Sequence, residues 1–342
     1  MNDLGSIPDD AIPADAIPAL VTDRLTEDAA GIATAAALLR AGRLVSFPTE
    51  TVYGLGADAT DPAAVARIYA AKERPRFNPL IAHLADAEAA FVEGLFDDAA
   101  RRLAAAFWPG PLTLVVPAAP GCRVCDLARA GLPSVALRVP APDRTRALLS
   151  QVGRPVAAPS ANRSGRVSPT RADHVLADLD GRIAAVLDGG ETPVGVESTV
   201  VACLGGPPRL LRPGGITREA LEARLGFALA GPERADTIHP VGPGLLASHY
   251  APRAQVRLDA TDAAPDEVVL LFGPEPLPGA DAAQARLNLS LAGNLAEAAA
   301  RLFSALRQLD GIGAPVIAVA PIPERGLGEA INDRLRRAAA PR

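Results

Sequence analysis

The sequence predicts an α/β protein, a mixed twisted sheet with helices followed by a second and smaller α/β unit, and three observations carry that reading. The chain has 342 residues, and at about 150 residues per domain that makes room for two domains. Short apolar runs alternate with Ala/Leu-rich helical stretches up to about residue 227, yet several runs follow one another with no helix between them, which a pure β-α-β winding does not do. From about residue 254 the alternation becomes regular, as in a Rossmann-like unit.

Residues 1–24 carry Ile-Pro at 7–8, 12–13 and 17–18 among aspartates and alanines and read as a flexible tail. The first domain is expected over 25–227. From Asp28 an Ala/Leu-rich helix runs to Arg40, and a strand from Arg43 to Phe47 leads into Pro-Thr-Glu. Asp61 followed by Pro62 starts a helix, because the carboxylate accepts from free N–H groups and proline has none to satisfy. Lys72 falls near the end of that helix. Strands are expected over Pro79–Leu84, Leu112–Pro117, Ser134–Val139, Pro155–Ala158, Ile183–Leu187, Ser198–Ala202 and Leu210–Leu211, with helices around 87–107, 143–151, 171–179 and 217–225. Residues 228–253 lose periodicity and are rich in Gly, Pro and Ala, as a linker is. In the second domain, 254–342, strands are expected over 254–258, 268–272 and 315–320. Its helices are expected over 294–309, with Leu295, Leu302, Phe303, Leu306 and Leu309 on one stripe, and over 327–337.

Composition narrows the function. Thirty-four basic residues against 39 acidic ones leave a net charge of −5, the wrong sign for a protein whose main work is gripping nucleic-acid phosphates. No run approaches the roughly 18 apolar residues of a membrane span, and no basic n-region opens the chain, so a cytoplasmic protein is expected. Cys122, Cys125 and Cys203 are an odd set that suits a reducing compartment better than a disulfide framework, and the C-x-x-C of Cys122 and Cys125 lacks the second pair that a four-ligand zinc site needs. All but one of the basic residues are arginine, and the exception is Lys72. Under such a bias a surviving lysine points to a place where a planar guanidinium does not serve. With no glycine before that lysine there is no P-loop, and the kinase, zincin and nucleophile-elbow motifs are also absent.

Polar clusters sit instead at strand ends and in loops. No nucleophile-base pair stands out among them, so the inventory points to positioning and charge neutralisation, the style of nucleotidyl transfer. The stretches Phe47-Pro48-Thr49-Glu50-Thr51-Val52-Tyr53-Gly54-Leu55-Gly56, Lys72-x-Arg74, Trp108-Pro109-Gly110-Pro111-Leu112-Thr113, Ala158-Pro159-Ser160-Ala161-Asn162, Asp188-Gly189-Gly190, Gly195-Val196-Glu197-Ser198-Thr199 and Leu211-Arg212-Pro213-Gly214 occur in that order. His249-Tyr250-Ala251-Pro252 and Pro323-Glu324-Arg325-Gly326-Leu327-Gly328 follow. In these motifs the chain resembles the L-threonylcarbamoyladenylate synthases of the two-domain Sua5 type, built on a YrdC-like domain. The likeness runs from about residue 28 onward, with Ser134 standing where the family pattern has threonine.

The resemblance implies a YrdC-like mixed sheet followed by a Sua5-type Rossmann-like domain. It also implies an enzyme that joins L-threonine, bicarbonate or CO2, and ATP into threonylcarbamoyl-AMP for the tRNA threonylcarbamoyl-adenosine modification. Lys72 and Arg74 are the implied catalytic pair. Thr51, His83, Arg138, Ala158 and Ser198 are implied for threonine. Arg74, Asn78, Ser134, Ser160, Asn162, Ser168, Arg212 and Tyr250 are implied for ATP. Mg2+ would accompany the phosphates, held mainly by them and by water, and the product would pass to the downstream tRNA threonylcarbamoyl-transferase machinery. The 231–252 segment, with His249 and Tyr250, would then close over the cavity as a lid. Two other readings stay open on the same motifs: a double-stranded RNA-binding or ribosome-assembly module, and a carbamoyl-transfer maturation factor. The latter lacks support in the chain's few cysteines and its length.

Overall fold

The computed structural model describes residues 21–74, 78–230 and 249–341. The first domain runs β1 (Asp23–Thr26), α1 (Ala29–Arg40), β2 (Val45–Phe47), β3 (Gly54–Asp58), α2 (Pro62–Lys72), β4 (Ile81–His83), α3 (Ala87–Glu93), α4 (Asp98–Phe107), β5 (Leu112–Pro117) and α5 (Asp126–Arg129). It continues with β6 (Ser134–Arg138), α6 (Asp143–Val152), β7 (Val156–Ala157), α7 (Ala172–Leu179), β8 (Ala185–Asp188), β9 (Thr199–Ala202), β10 (Arg209–Arg212) and α8 (Arg218–Leu225). The second comprises β11 (Gln255–Arg257), β12 (Val268–Leu271), β13 (Ala285–Asn288), α9 (Leu295–Asp310), β14 (Val316–Val319) and α10 (Leu327–Ala339).

Among the described residues, ten strands join in one mixed sheet of order β1-β8-β2-β3-β7-β4-β6-β5-β9-β10, and four form a parallel sheet of order β11-β14-β12-β13. Both fold classes match the expectation. Asp28 and Asp61 cap α1 and α2 through their carboxylates, and Pro62 opens α2. Thr217 caps α8 through its hydroxyl oxygen and Asn294 caps α9 through its amide oxygen.

Four local expectations are corrected. The tail reading of 1–24 is too long, because Asp23 and Arg24 already lie in β1, paired parallel to Ala185 and Val186 of β8. Residues 1–20 lie outside the described residues. The helix expected over 87–107 is two helices. Gly94 is pressed so close to β5 that a Cβ would lie 2.4 Å from Val116, and Asp97 then caps a fresh start. Gly54–Asp58 is a fully buried strand that its glycines disguise: a Cβ at Gly56 would lie 2.6 Å from the Phe47 ring, so the glycine marks close packing and not a turn. The short α5 and the half-exposed β13 carry too little periodicity to be seen in the sequence.

Period-2 alternation sorts the large sheet's faces. Leu80, Ala82, Leu114, Val116, Val135, Leu137, Val201 and Leu210 join the main core with Val65 and Ile68 of α2 and Leu103 of α4. The opposite face of β4, β6, β5, β9 and β10 carries Ile81, Val115, Ala136, Val200, Ala202 and Leu211 as a small apolar floor. Residues two places along on that face are His83, Arg138, Thr113 and Ser198, so the polar end of the floor is set by strand register. The second domain docks beside it. Val52, Val167 and Val196 share one apolar cluster with Leu302, Phe303, Leu306, Ile317 and Ile331, so the two domains share a continuous core. Gly195, at φ +73°, lets α9 come so near that a Cβ would lie 2.4 Å from the Ala299 and Ala300 carbonyls.

Candidate active site

His83 and Arg138 are partners in the parallel β4–β6 register, which sets their side chains side by side. The β2–β3 turn brings Glu50 and Thr51 over them. Arg138 pairs with the Glu50 carboxylate at 2.8 Å and donates to the Thr51 hydroxyl at 3.0 Å, and Glu50 also accepts from the Ala141 N–H at 3.1 Å. Arg138 and Glu50 are both buried. The carboxylate thus fixes the guanidinium in one direction, as a buried charge requires a partner. Burial, aided by the Arg138 charge, pushes His83 down to about 3, so its imidazole is neutral at physiological pH.

Ala158 follows β7, and its N–H donates to the Ile81 carbonyl at 2.9 Å, which places Pro159 and Ser160 at the cavity's edge. Arg74 and Asn78 stand across from them, just past α2 and just before β4. The buried Arg74 Nε and Asn78 Oδ1 have no hydrogen-bond partner among the described residues, a costly condition that a polar ligand would relieve. Burial holds the Arg74 and Arg212 guanidiniums below their ordinary range, so each gains from an anion. Arg212 donates from Nη2 to the Ser198 carbonyl at 2.9 Å and to its hydroxyl at 3.2 Å, and Thr113 and Ser198 hydroxyls meet at 2.8 Å.

One cavity is lined by Thr51, Arg74, Asn78, His83, Arg138, Ala158, Ser160, Ser198, Arg212 and Tyr250, all named from the sequence. Four other named residues are outside that lining. Lys72 is fully buried beneath it, its Nζ donating to the Ser160 carbonyl at 2.5 Å and to that of Asn162. Lys72 thus braces the Ser-x-Asn loop from below; burial, then the nearby Arg74 charge, drive its pKa well down. Asn162 donates to the Arg163 and Arg166 carbonyls at 2.8 Å. Ser168 donates to Glu197 at 2.6 Å. Ser134 lies on the same face of β6 as Arg138 but at the strand's other end.

The sequence reading missed Glu50, Glu197 and Arg334 as site residues. Glu50 and Glu197 stand inside motifs already singled out, and a carboxylate amid cation-rich motifs was the available signal. Arg334 falls at helical spacing on the apolar stripe of α10, three residues after Ile331 and four before Ala338, and a charge inside such a stripe was the available signal. Of the proposed lid, 231–248 lies outside the described residues; His249 and Tyr250 line the cavity, and the Tyr250 ring stacks on Phe303 of α9 at 5.5 Å.

A family model described as telomere recombination matches residues 37–214, and one described as the threonylcarbamoyl-AMP synthase C-terminal domain matches residues 216–340. The second begins ahead of α8, although Leu221 and Leu225 of α8 pack in the first domain's core. The chain is 42% identical over 337 residues to a threonylcarbamoyl-AMP synthase of Bacillus subtilis, covering 94% of this chain and 96% of that protein. It is 42% identical over 322 residues to a Pyrococcus abyssi threonylcarbamoyl-AMP synthase, covering 90% and 94%. The crystal structure of P. abyssi Sua5 complexed with L-threonine is similar at a TM-score of 0.83 and 38% identity, over 93% of this chain and 97% of that one.

Proposed function

This chain belongs to the threonylcarbamoyl-AMP synthase family, and on that premise we propose how its cavity forms threonylcarbamoyl-AMP and pyrophosphate from L-threonine, bicarbonate or CO2, and ATP. The observation that carries the reading is the convergence of three guanidiniums, Arg74, Arg138 and Arg212, on one cavity where Arg74 Nε and Asn78 Oδ1 have no partner among the described residues.

The reaction needs no protein nucleophile. The threonine amine takes up CO2, directly or from bicarbonate with loss of water, to give a carbamate. A carbamate oxygen then attacks the α-phosphorus, and the bond to the β-phosphate oxygen breaks to release pyrophosphate. Three anionic groups must share the cavity, and fixed cations stabilise that crowding without reorganisation. Arg138 takes the threonine carboxylate, steered by Glu50. Thr51, neutral His83, the Ala158 backbone and Ser198 offer hydrogen bonds to the amino acid. Arg74, Asn78, Ser160 and Arg212 face the nucleotide, with Tyr250 beside them. Lys72 acts on the reaction by holding the Ser160–Asn162 loop, which makes it a positioning residue.

Mg2+ fits this arrangement as a companion of ATP. Both oxygens of Glu197, the carboxylate on the cavity wall, are taken by Ser168 and Arg334, which leaves the phosphates and water to hold the ion. No helix among the described residues is long and apolar enough to cross a membrane. We assign the protein to the cytoplasm, where its product would pass to the tRNA threonylcarbamoyl-transferase machinery.

The test incubates purified protein with ATP, Mg2+, labelled bicarbonate and each amino acid in turn, with no RNA present. A labelled adenylate and pyrophosphate are expected with threonine. Serine, lacking one methyl worth about 1–3 kcal/mol, should be poor but measurable, and valine should be rejected because buried polar groups would be left unpaired. Product that needs added RNA, or equal use of valine, would overturn the reading.

A further inference from the structure

Arg334 has the largest fully buried side chain among the described residues, and although it belongs to the second domain, two of its partners, Glu197 and Pro213, belong to the first. From α10 its Nε donates to the Glu197 carboxylate at 2.8 Å, and its Nη1 donates to the Pro213 carbonyl at 2.8 Å and to Asp333 at 2.7 Å. Its guanidinium lies over the Tyr250 ring, 5.4 Å from the centroid. Glu197 precedes Ser198 and Pro213 follows Arg212, so this one side chain ties together the two segments that present Ser198 and Arg212 to the cavity. Those segments touch directly: a Cβ on Gly214 would lie 2.3 Å from the Glu197 carbonyl.

Glu197 is the carboxylate on the cavity wall, and Arg212 is the cavity cation beside it. A buried carboxylate next to a buried guanidinium pairs with it unless something else satisfies it. Here both Glu197 oxygens are engaged, by Ser168 and Arg334. The Arg212 hydrogen bonds go to neutral Ser198 atoms.

We propose that Arg334 is a positioning residue that the second domain supplies to the first: by occupying Glu197 it keeps Arg212 uncommitted, so that Arg212 meets the triphosphate. The role of the second domain in the reaction is then electrostatic as well as mechanical, and nucleotide affinity depends on the domains being docked. Burial favours a neutral Glu197, yet the Arg334 and Arg212 charges and the Ser168 hydroxyl hold its carboxyl below the usual range, so the pair is ionic.

The inference rests on the proposed reaction, and the experiment separates the two. Adenylate formation by the unaltered protein tests the reaction itself. Arg334→Met and Arg334→Met/Glu197→Gln are then compared with it by ATP titration calorimetry and by steady-state kinetics, with circular dichroism as the check on folding. Arg334→Met should raise the ATP Kd and KM at least tenfold while the threonine KM and kcat stay within about threefold. Adding Glu197→Gln should recover most of the ATP affinity, because a neutral amide no longer competes for Arg212. A residue that merely stabilised the fold would shift both KM values together and would gain nothing from Glu197→Gln. If Arg334→Met is unfolded, the same comparison is made between Arg334→Lys and Arg334→Lys/Glu197→Gln. An active parent whose folded Arg334 variant keeps ATP affinity, or whose double variant is no better than the single, overturns the inference and leaves the proposed reaction standing.

Discussion

His83 and Arg138 reach the cavity from neighbouring strands in register, and Glu50 arrives on the turn above them, all within one domain. Glu197, Arg212 and Tyr250 reach it from loops and strand ends that are tied to α9 and α10 of the other domain. The first wall is built by a hydrogen-bond ladder and persists as long as the sheet does. The second stands on β9 and β10 of the same sheet but is completed by contacts from the docked second domain. On the proposed assignment, a subsite for the small amino acid built within one domain lies beside a nucleotide subsite that the second domain helps to hold, which gives the two substrates separate structural controls.

The largest effect should come from breaking the strand wall. Arg138→Met strands Glu50 as an unpaired buried carboxylate, a change that costs about 3–5 kcal/mol of stability, and it removes the partner proposed for the threonine carboxylate. Activity should fall beyond detection in a pyrophosphate-release assay, with a lower Tm by calorimetry; turnover within tenfold of the parent would refute the wall as drawn. Next comes Lys72→Arg. The Lys72 side chain is fully enclosed beneath the Ser160–Asn162 loop, and a bulkier planar fork overpacks it by about 1–3 kcal/mol. Adenylate formation should drop at least tenfold although the far-ultraviolet circular dichroism is unchanged, and full activity would show the brace to be dispensable.

Gly195→Ala probes the seam itself. Its Cβ would strike the α9 carbonyls at a positive φ, so the ATP KM should rise more than the threonine KM; an equal rise in both would dissolve the distinction between the walls. A smaller and global effect follows from three histidines that the fold keeps neutral, His83, His174 and His249, the last held well below its ordinary value by burial and then by the Arg74 charge. Burial, then Arg138, holds His83 near 3, and burial, then Arg307, holds His174 near 4, against about 6.5 when unfolded. Between those values the unfolded chain binds protons that the folded one does not, so stability is greatest above about pH 6.5 and declines as the pH falls toward 4. Urea midpoints at pH 7 and pH 5 measure it, and His83→Gln should flatten the slope. Smallest of all, removing residues 1–20 should leave turnover within about twofold. Extending the cut through Thr26 deletes β1 and the Arg24–Asp188 ion pair and should lower the Tm, which kinetics at 25 °C alone would not reveal.

Much of this was legible because it is local. The Asp61-Pro62 start of α2 needs only an acceptor before free N–H groups, and β5 falls at Leu112–Pro117 as its apolar run indicates. The site residues at strand ends could be named because motif order placed Thr51, His83, Arg138, Ser198 and Arg212 at the ends of recognisable runs. Gly54–Asp58 was not legible, since glycine in a strand is decided by the Phe47 ring across from it. The uniqueness of Lys72 could be read off the composition, but whether its ammonium faced the cavity or the backbone beneath it could not.

Length, composition, helix starts, apolar runs and the chemistry on offer were determined by the sequence itself, because capping and periodicity act between residues a few positions apart. Partner choice among the charges was decided only by the tertiary structure. Glu197 and Arg334 are 137 residues apart, and although helical spacing sets Arg334 on the inward stripe of α10 with Ile331 and Ala338, nothing near it in the chain marks the carboxylate it meets. A buried charge takes the counter-charge that packing delivers to it, and here the docking of a second domain delivers it.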